Sequence, residues 1–237
     1  EEIPPWLDSK YTIPYYKAFL IPGVIEFSAA IFFCRMVSFF FLFWRPAFLL
    51  EGGYKTLDEI ALYNLPYIIG GFIGGVLIGV LKDIFQKNAL VCISFQVLSI
   101  PAIALQTAEF RGENKALDIF LQMILGLFVE APVILLSTSV SVELGTHSIL
   151  RRGHRGLATI ASIVEGSGAL GATIGPLIIT AMTSTSKWNI NMIYMIVVEI
   201  IGAVCLSRMA YKDYLATSKK LTFGDYWMKG ASAKFQQ

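Results

Sequence analysis

The sequence has little charge. Only 15% of its 237 residues are charged, whereas 55% are hydrophobic, and the mean hydropathy is +0.64. A soluble domain of ordinary composition carries about 25% charged residues, so this composition argues against that class and predicts a polytopic membrane protein. The net charge is only +2 and no run of like charges forms a binding tail, so nucleic acid is not predicted as a partner.

Cysteine, histidine and catalytic motifs are equally sparse. Cys34, Cys92 and Cys205 lie in apolar segments, and an odd number without paired spacing predicts packing thiols rather than disulfides. His147 and His154 lie in one predicted loop, where we expect solvated side chains rather than metal ligands. No phosphate-binding loop, dinucleotide fingerprint or hydrolase nucleophile motif occurs. We therefore predict no enzyme, no cofactor and no metal site.

Six apolar segments are long enough to cross a bilayer, which takes about 20 residues each. The predicted fold class is all-α integral membrane, with a six-helix domain at 19–212, an interfacial or linker segment at 1–18 and a polar, aromatic tail at 213–237. The predicted helices are 19–43, 57–81, 88–108, 116–140, 156–182 and 188–210.

Prolines and basic residues predict where helices end and how they are oriented. Arg45 and Pro46 are expected to end helix one, and Pro101 to break helix three. Of 19 Lys and Arg residues, 13 fall on the side of the termini and 5 in the opposite loops. The positive-inside rule then places both termini in the cytosol, for an endoplasmic reticulum protein, or in the matrix, for the mitochondrial inner membrane.

One arginine lies near the middle of helix one, where charge is costly. A central Arg costs about 2.5 to 3.5 kcal/mol on insertion scales, so Arg35 is expected to face protein, water or an anionic ligand. Glu26 is nine residues away on the opposite helix face and cannot neutralise it locally. Arg35 is therefore predicted to meet a partner from another element.

Four acids lie at or near membrane depth, where carboxylates usually face a bundle interior or an aqueous cavity. Glu130 adjoins Pro132 and Glu165 precedes a glycine cluster, so these two are the preferred functional candidates. Glu26 and Glu199 are expected to be interfacial. The alternative is that such acids form buried hydrogen bonds between helices.

Glycines concentrate in helices two and five. Helix two contains three overlapping G-x-x-x-G pairs, and helix five carries a second small-residue face. Such faces form either static close packing or moving helix interfaces, and both interpretations require a partner surface. The glycines are Gly70, Gly71, Gly74, Gly75 and Gly79 in helix two, and Gly168, Gly171 and Gly175 in helix five.

Two loops on the side of the termini are charged. Asp83 and Lys87 are four residues apart after helix two, where the carboxylate can accept hydrogen bonds at a helix end and pair with cations from the next loop. The second loop begins at Glu143 and becomes strongly basic at 151–155.

Several of these stretches together resemble the C-terminal six-helix half of a major facilitator superfamily transporter. The resemblance is to the organophosphate:phosphate antiporter group, which includes eukaryotic sugar-phosphate exchangers and the bacterial glycerol-3-phosphate transporter. The Gly79 to Lys87 loop resembles a superfamily signature with Asp83 at its acidic position. The other stretches, in family order, are Ile21-Pro-Gly-Val-Ile-Glu-Phe-Ser28, Phe43-Trp44-Arg-Pro46, Glu143-Leu-Gly-Thr-His147 and Glu165-Gly-Ser-Gly-Ala-Leu-Gly-Ala-Thr-Ile-Gly-Pro176.

The resemblance assigns roles to individual residues. In that family one basic residue from the first helix of each half binds phosphate, and the resemblance implies that Arg35 is the base of this half. Bacterial relatives place the base at the position of Ser38, whereas eukaryotic exchangers place a Lys at that of Arg35. Ser38, Glu130 and Glu165 complete the predicted substrate-binding set. The predicted structural or gating residues are Gly71, Gly75, Gly79, Asp83, Lys87, Glu143, Gly168, Gly171 and Gly175.

The resemblance also implies twelve helices, of which this chain supplies six. We expect membrane lipid and a second six-helix half as partners, whether a separate chain, another part of this polypeptide or a second copy. The expected substrates are a small phosphorylated metabolite and inorganic phosphate, exchanged by alternating access. The alternative is a non-transporting accessory subunit of a larger membrane complex, such as a mitochondrial respiratory assembly. Neutralisation of Arg35 by an internal acid would favour that alternative.

Overall fold

A computed structural model of the chain describes residues 15–19, 21, 23–51, 57–85, 87–109, 115–140, 156–183 and 188–218, and nearly all of these residues are helical. Six helices in these ranges are long and apolar enough to span a membrane, with candidate spans of 20 to 26 residues. The predicted fold class and the count of six spans are confirmed. Glu143, His147, His154 and both terminal segments up to residue 14 and from residue 219 lie outside the described residues.

The six long helices follow one another along the chain, preceded by a single helical turn at Tyr15–Ala18. A π-helix at Leu136–Val140 continues α4. The helices are α1 at Val24–Glu51, α2 at Leu57–Phe85, α3 at Asn88–Glu109, α4 at Lys115–Leu135, α5 at Gly156–Thr183 and α6 at Trp188–Ser218.

The start of α1 is fixed by a glycine turn rather than by the apolar segment itself. Gly23 has φ of 102°, a left-handed conformation that favours glycine, and its N–H donates to Glu26 Oε2 at 3.2 Å. The helix therefore begins at Val24, five residues after the predicted start. Glu26 in the first turn supplies the negative charge that helix N-termini favour.

Prolines do not end or break the helices, so two predictions were wrong. The first helix continues through Pro46 to Glu51, and α3 is continuous through Pro101. A proline inside a helix removes one hydrogen bond, whereas ending a helix leaves several backbone groups unpaired, which is more costly in lipid. The last helix likewise extends to Ser218, eight residues beyond its predicted end.

The helices form two layers. The most extensive contacts join α2 to α4 and α1 to α5, and α4 also contacts α1, so that α5, α1, α4 and α2 form a row. The other two helices pack behind this row, with α6 against α1 and α3 against α4 and α6. Apolar side chains from both layers fill the space between them, including the fully buried Ile31, Val37, Ile103 and Leu125.

The two end helices of the row leave most of their outer surfaces uncovered by the described residues. Only 22% of the α2 span and 28% of the α5 span are buried, the lowest values of the six. Their exposed side chains include Phe72, Val76, Leu170 and Leu177. Apolar side chains on these surfaces are available to lipid or to another protein surface.

Several glycines of α2 and α5 face a neighbouring helix and bring helix backbones together. A Cβ at Gly74 would lie 2.3 Å from the carbonyl oxygen of Leu127 on α4, and one at Gly171 would lie 2.0 Å from that of Phe32 on α1. Gly70 approaches α4 in the same way. The partner surfaces of these glycines are therefore α4 and α1 of the same chain, as the close-packing interpretation requires.

Gly79, by contrast, has open space around it and offers a matched control. We predict that Gly74→Ala destabilises the protein by about 1 to 3 kcal/mol, because the new methyl group overlaps the backbone of α4. Gly79→Ala on the same helix should be neutral or slightly stabilising, since Ala is the better helix former. Thermal unfolding in detergent would measure both, and equal effects would contradict the proposed packing.

Candidate functional site

Arg35 pairs with a carboxylate from another helix. Its Nη2 donates to Glu165 Oε2 across the α1–α5 contact at 2.7 Å. The two side chains are 23% and 41% exposed, so the pair lies at an accessible edge of the bundle rather than in its core. Arg35 thus obtains the separate partner that its position in the sequence requires.

The ion pair uses only part of the guanidinium. Within the described residues, Arg35 donates one hydrogen bond, from Nη2. Nε is buried and has no partner there, whereas Nη1 is not fully buried. An arginine has five N–H donors in a planar fork. Glu165 therefore neutralises Arg35 while leaving donors that could meet an anion.

A second carboxylate lies between α1, α4 and α2. Ser38 Oγ donates to Glu130 Oε1 at 2.5 Å, and Tyr67 Oη donates to the same oxygen at 2.8 Å. Ser38 and Tyr67 are buried, and Glu130 is partly exposed. The two hydroxyl groups hold the carboxylate in a defined position on α4.

The Arg35–Glu165 pair and the Ser38–Glu130–Tyr67 group together form a polar belt across the row of four helices. Arg35 and Ser38 are three residues apart on α1 and so lie on neighbouring positions of one helix face. From them the belt continues through Glu165 to α5 and through Glu130 and Tyr67 to α4 and α2. The structure therefore brings all four predicted substrate-binding residues into the same region of the row.

Glycines lie directly against the side chains of Glu130 and Arg35. A Cβ at Gly71 would lie 2.8 Å from Cγ of Glu130, and one at Gly168 would lie 3.3 Å from Nε of Arg35. Gly75 and Gly175 approach Ile134 and Met36 in the same two helix contacts. The missing side chains at Gly71 and Gly168 leave the space that Glu130 and Arg35 occupy.

Arg45, which was expected to end helix one, lies inside α1 and is the centre of a separate, buried network. Its side chain is 0% exposed, and Nη2 donates to Asp118 at 3.2 Å and to Gln122 at 2.9 Å. Gln106 donates to Asp118, and Gln122 donates to Asn64 at 3.4 Å. This network joins α1, α2, α3 and α4 near one end of the bundle.

Glu199 is buried, so its predicted interfacial position was wrong. It is 1% exposed near the middle of its span on α6 and accepts a hydrogen bond from Ser99 on α3 at 3.0 Å. This is the buried hydrogen bond between helices that the sequence left as an alternative. Glu26 is near the start of α1 and pairs with the exposed Arg208 at 2.9 Å.

The cations expected to pair with Asp83 are those of the next loop on the same side, and the basic residues of that loop, at 151–155, lie outside the described residues. The Asp83 side chain is 80% exposed at the end of α2 and contacts the adjacent Lys82 at 3.6 Å. An exposed pair of this kind stabilises by about 1 kcal/mol at most. No group of three or more metal-ligating side chains occurs in the described parts of the chain.

Sequence reasoning missed Tyr67 and Asp118. Tyr67 lies in an apolar helix next to Pro66, and nothing local distinguishes its hydroxyl from one at a lipid interface. Asp118 is two residues inside the predicted start of helix four, where a carboxylate is ordinary. An unassigned Arg45 at the end of helix one was the signal that could have suggested a buried acid nearby.

Several known proteins with similar sequences are named as glycerol-3-phosphate transporters or glucose-6-phosphate exchangers. Over 213 residues the chain is 36% identical to the putative glycerol-3-phosphate transporter 4 of Arabidopsis thaliana, covering 88% of this chain and 38% of that protein. It is 32% identical to the glucose-6-phosphate exchanger SLC37A2 of Bos taurus over 211 residues, and to that of Homo sapiens over 214. These alignments cover 89% and 90% of this chain and 42% of each exchanger. No protein-family profile matches the chain.

The chain belongs to the organophosphate:phosphate antiporter group of the major facilitator superfamily. The predicted resemblance is confirmed, as is the expectation of a multi-pass membrane protein. The chain spans about two fifths of the length of the curated relatives that it matches. Those relatives are named as transporters and exchangers rather than as enzymes.

The buried network around Arg45 predicts that replacing this arginine destabilises the protein far more than replacing the exposed Arg208. Arg45→Leu should destabilise the protein by about 3 to 5 kcal/mol, because it leaves Asp118 without its cation in a mostly buried position. Arg208→Leu removes an arginine that is 66% exposed and should cost about 1 kcal/mol or less. Unfolding temperatures in the same detergent would test this. Similar losses for both variants would show that the network does not stabilise the bundle.

Proposed function

We propose that this chain is one half, the C-terminal one, of an antiporter that exchanges an organic phosphate for inorganic phosphate. Its row of α5, α1, α4 and α2 would form one wall of the substrate path. The observation that carries the proposal is Arg35, a mid-membrane cation that retains unbonded donors beside its counterion. The names of the relatives support a sugar or glycerol phosphate as the organic substrate.

In the proposed mechanism a phosphate oxygen takes the place of Glu165 at Arg35. Arginine suits this exchange because its planar fork can hold two oxygens at once and remains charged. With no anion bound, Glu165 keeps the guanidinium neutralised in the membrane, where an unpaired charge is costly. Binding of either anion would therefore replace one ionic contact with another.

A second half supplies the opposite wall in this proposal. Alternating access requires two bodies that rock against one another around the substrate. The uncovered outer surfaces of α2 and α5 leave room for such a partner. The glycine contacts that join α2 to α4 and α5 to α1 would let each helix pair move as a unit.

We propose that both termini lie in the cytosol or, for an inner mitochondrial protein, in the matrix. Of the 19 basic residues, 13 fall on the side of the termini and 5 towards the opposite side, and this positive-inside bias supports the orientation.

One observation favours a second candidate function, that of a non-transporting accessory subunit of a larger membrane complex. Glu165 already neutralises Arg35 within the chain, so the arginine does not need a substrate to be tolerated in the membrane. The two functions differ in whether the Arg35 guanidinium meets a mobile anion. Transport measurements on Arg35 variants distinguish them.

We predict that Arg35→Ala abolishes phosphate counterflow in proteoliposomes that contain the complete transporter. Arg35→Lys should retain part of the activity, since Lys also binds phosphate but as a point charge. Arg208→Ala, which removes an exposed cation, should retain full exchange and serves as the control. Exchange that survives Arg35→Ala would refute the role proposed for Arg35. An exchange-inactive wild-type complex would favour the accessory subunit.

We predict that Glu165→Gln lowers the KM for inorganic phosphate about fivefold. Its carboxylate competes with the substrate for Arg35, and a partly exposed ion pair contributes about 1 kcal/mol, which corresponds to that factor. Initial rates of phosphate exchange at varied substrate concentration would measure the change. Glu26→Gln, which alters a carboxylate paired with Arg208, should leave KM unchanged. An unchanged KM in Glu165→Gln would show that Glu165 does not compete with substrate.

A further inference from the structure

We propose that Glu130, held by Ser38 and Tyr67, binds the hydroxyl groups on the organic part of an organophosphate and thereby distinguishes it from inorganic phosphate. The inference rests on the proposed function and assigns a second subsite to the same wall. Glu130 is a carboxylate that takes no part in the phosphate binding proposed for Arg35.

One oxygen of the Glu130 carboxylate, Oε1, accepts hydrogen bonds within the chain, and the other, Oε2, is left for a ligand. Both recorded hydrogen bonds of Glu130 arrive at Oε1, from the buried hydroxyls of Ser38 and Tyr67. Within the described chain no donor bonds to Oε2, and this atom is not fully buried. A carboxylate oxygen that is fixed and accessible can accept a hydrogen bond from a ligand.

Charge determines which part of a ligand can bind next to Oε2 of Glu130. The belt holds one guanidinium and two carboxylates, so its formal charge is negative even before an anion binds. A carboxylate and a fully ionised phosphate repel each other, so placing them side by side is unfavourable. A carboxylate beside neutral hydroxyl groups instead accepts hydrogen bonds from them. Glu130 therefore fits the polyol part of the substrate better than its phosphate.

The spacing on α1 is compatible with this division. Ser38, which holds Glu130, is three residues beyond Arg35, a rise of about 4.5 Å along the helix. A sugar or glycerol phosphate carries hydroxyl groups on carbons beyond the phosphoester, so one molecule can extend from one group towards the other. Inorganic phosphate has no such extension and would bind at Arg35 alone.

The test compares two exchange reactions in the complete transporter reconstituted in proteoliposomes. Phosphate–phosphate exchange reports the Arg35 subsite, and exchange of glycerol 3-phosphate or glucose 6-phosphate for phosphate reports both subsites. In Glu130→Gln we expect the KM for the organic phosphates to rise about tenfold, the usual effect of losing a hydrogen bond to a charged group. The KM for inorganic phosphate should stay the same or fall.

Further variants keep the test valid if Glu130→Gln folds poorly. Tyr67→Phe and Ser38→Ala each remove one hydroxyl that holds the carboxylate and should raise the organic-phosphate KM selectively, by a smaller factor. Glu26→Gln is the matched control and should change neither exchange, because its carboxylate lies at the far end of α1. Thermal unfolding of each purified variant would separate selectivity from stability.

Three outcomes would overturn the proposal. A parallel loss of both exchanges in Glu130→Gln would mean that Glu130 contacts a phosphate P–OH or only holds the helices together. Unchanged kinetics for both substrates would mean that it contacts neither. A wild-type complex that exchanges nothing would remove the proposed function together with this subsite, whereas normal phosphate exchange with unaltered selectivity would remove the subsite alone.

Discussion

The ion pair between Arg35 and Glu165 is the interaction on which the candidate site depends. It allows a guanidinium to remain in the middle of a membrane span without a bound ligand, because the opposite charge is only 2.7 Å away on the neighbouring helix. The same pair requires α5 to stay against α1 at that depth, and the glycines of α5 make this close approach possible. A stable fold and a usable cation therefore arise from the same helix contact.

The two arginines of α1 show how burial changes the meaning of a charge. Arg45 is fully buried, and its network with Asp118 and Gln122 connects four helices. Breaking such a buried pair leaves an uncompensated charge in a low dielectric, so the network resists change. Arg35 is partly exposed and paired through one nitrogen, which leaves it able to exchange partners. The first arrangement suits a structural role and the second suits binding.

The sequence was sufficient for the fold class because apolar segment length is a strong signal in lipid, and all six spans are present. It also identified Arg35 as needing a distant partner, since charge in an apolar helix has few solutions. It did not identify Glu165 as that partner, nor Tyr67 as a partner of Glu130, because helix pairing depends on contacts between distant segments. The error at Pro46 comes from treating proline as a helix end, although a helix inside a membrane continues through it at lower cost. The error at Glu199 comes from placing the residue near a helix end, whereas it lies near the middle of its span and is buried.

The small residues of α2 and α5 are linked to the charged belt more directly than their spacing suggests. Gly71 adjoins the Glu130 side chain and Gly168 adjoins the Arg35 side chain, so a methyl group at either position would press on a charged group. Neighbouring glycines on the same two helices bring the backbones close enough for those side chains to reach across. The glycine faces therefore do two things at once: they set the helix separation, and they leave room for the groups that would bind an anion and its hydroxyl groups. A larger residue at either position would disturb packing and binding together, because the same missing side chain serves both.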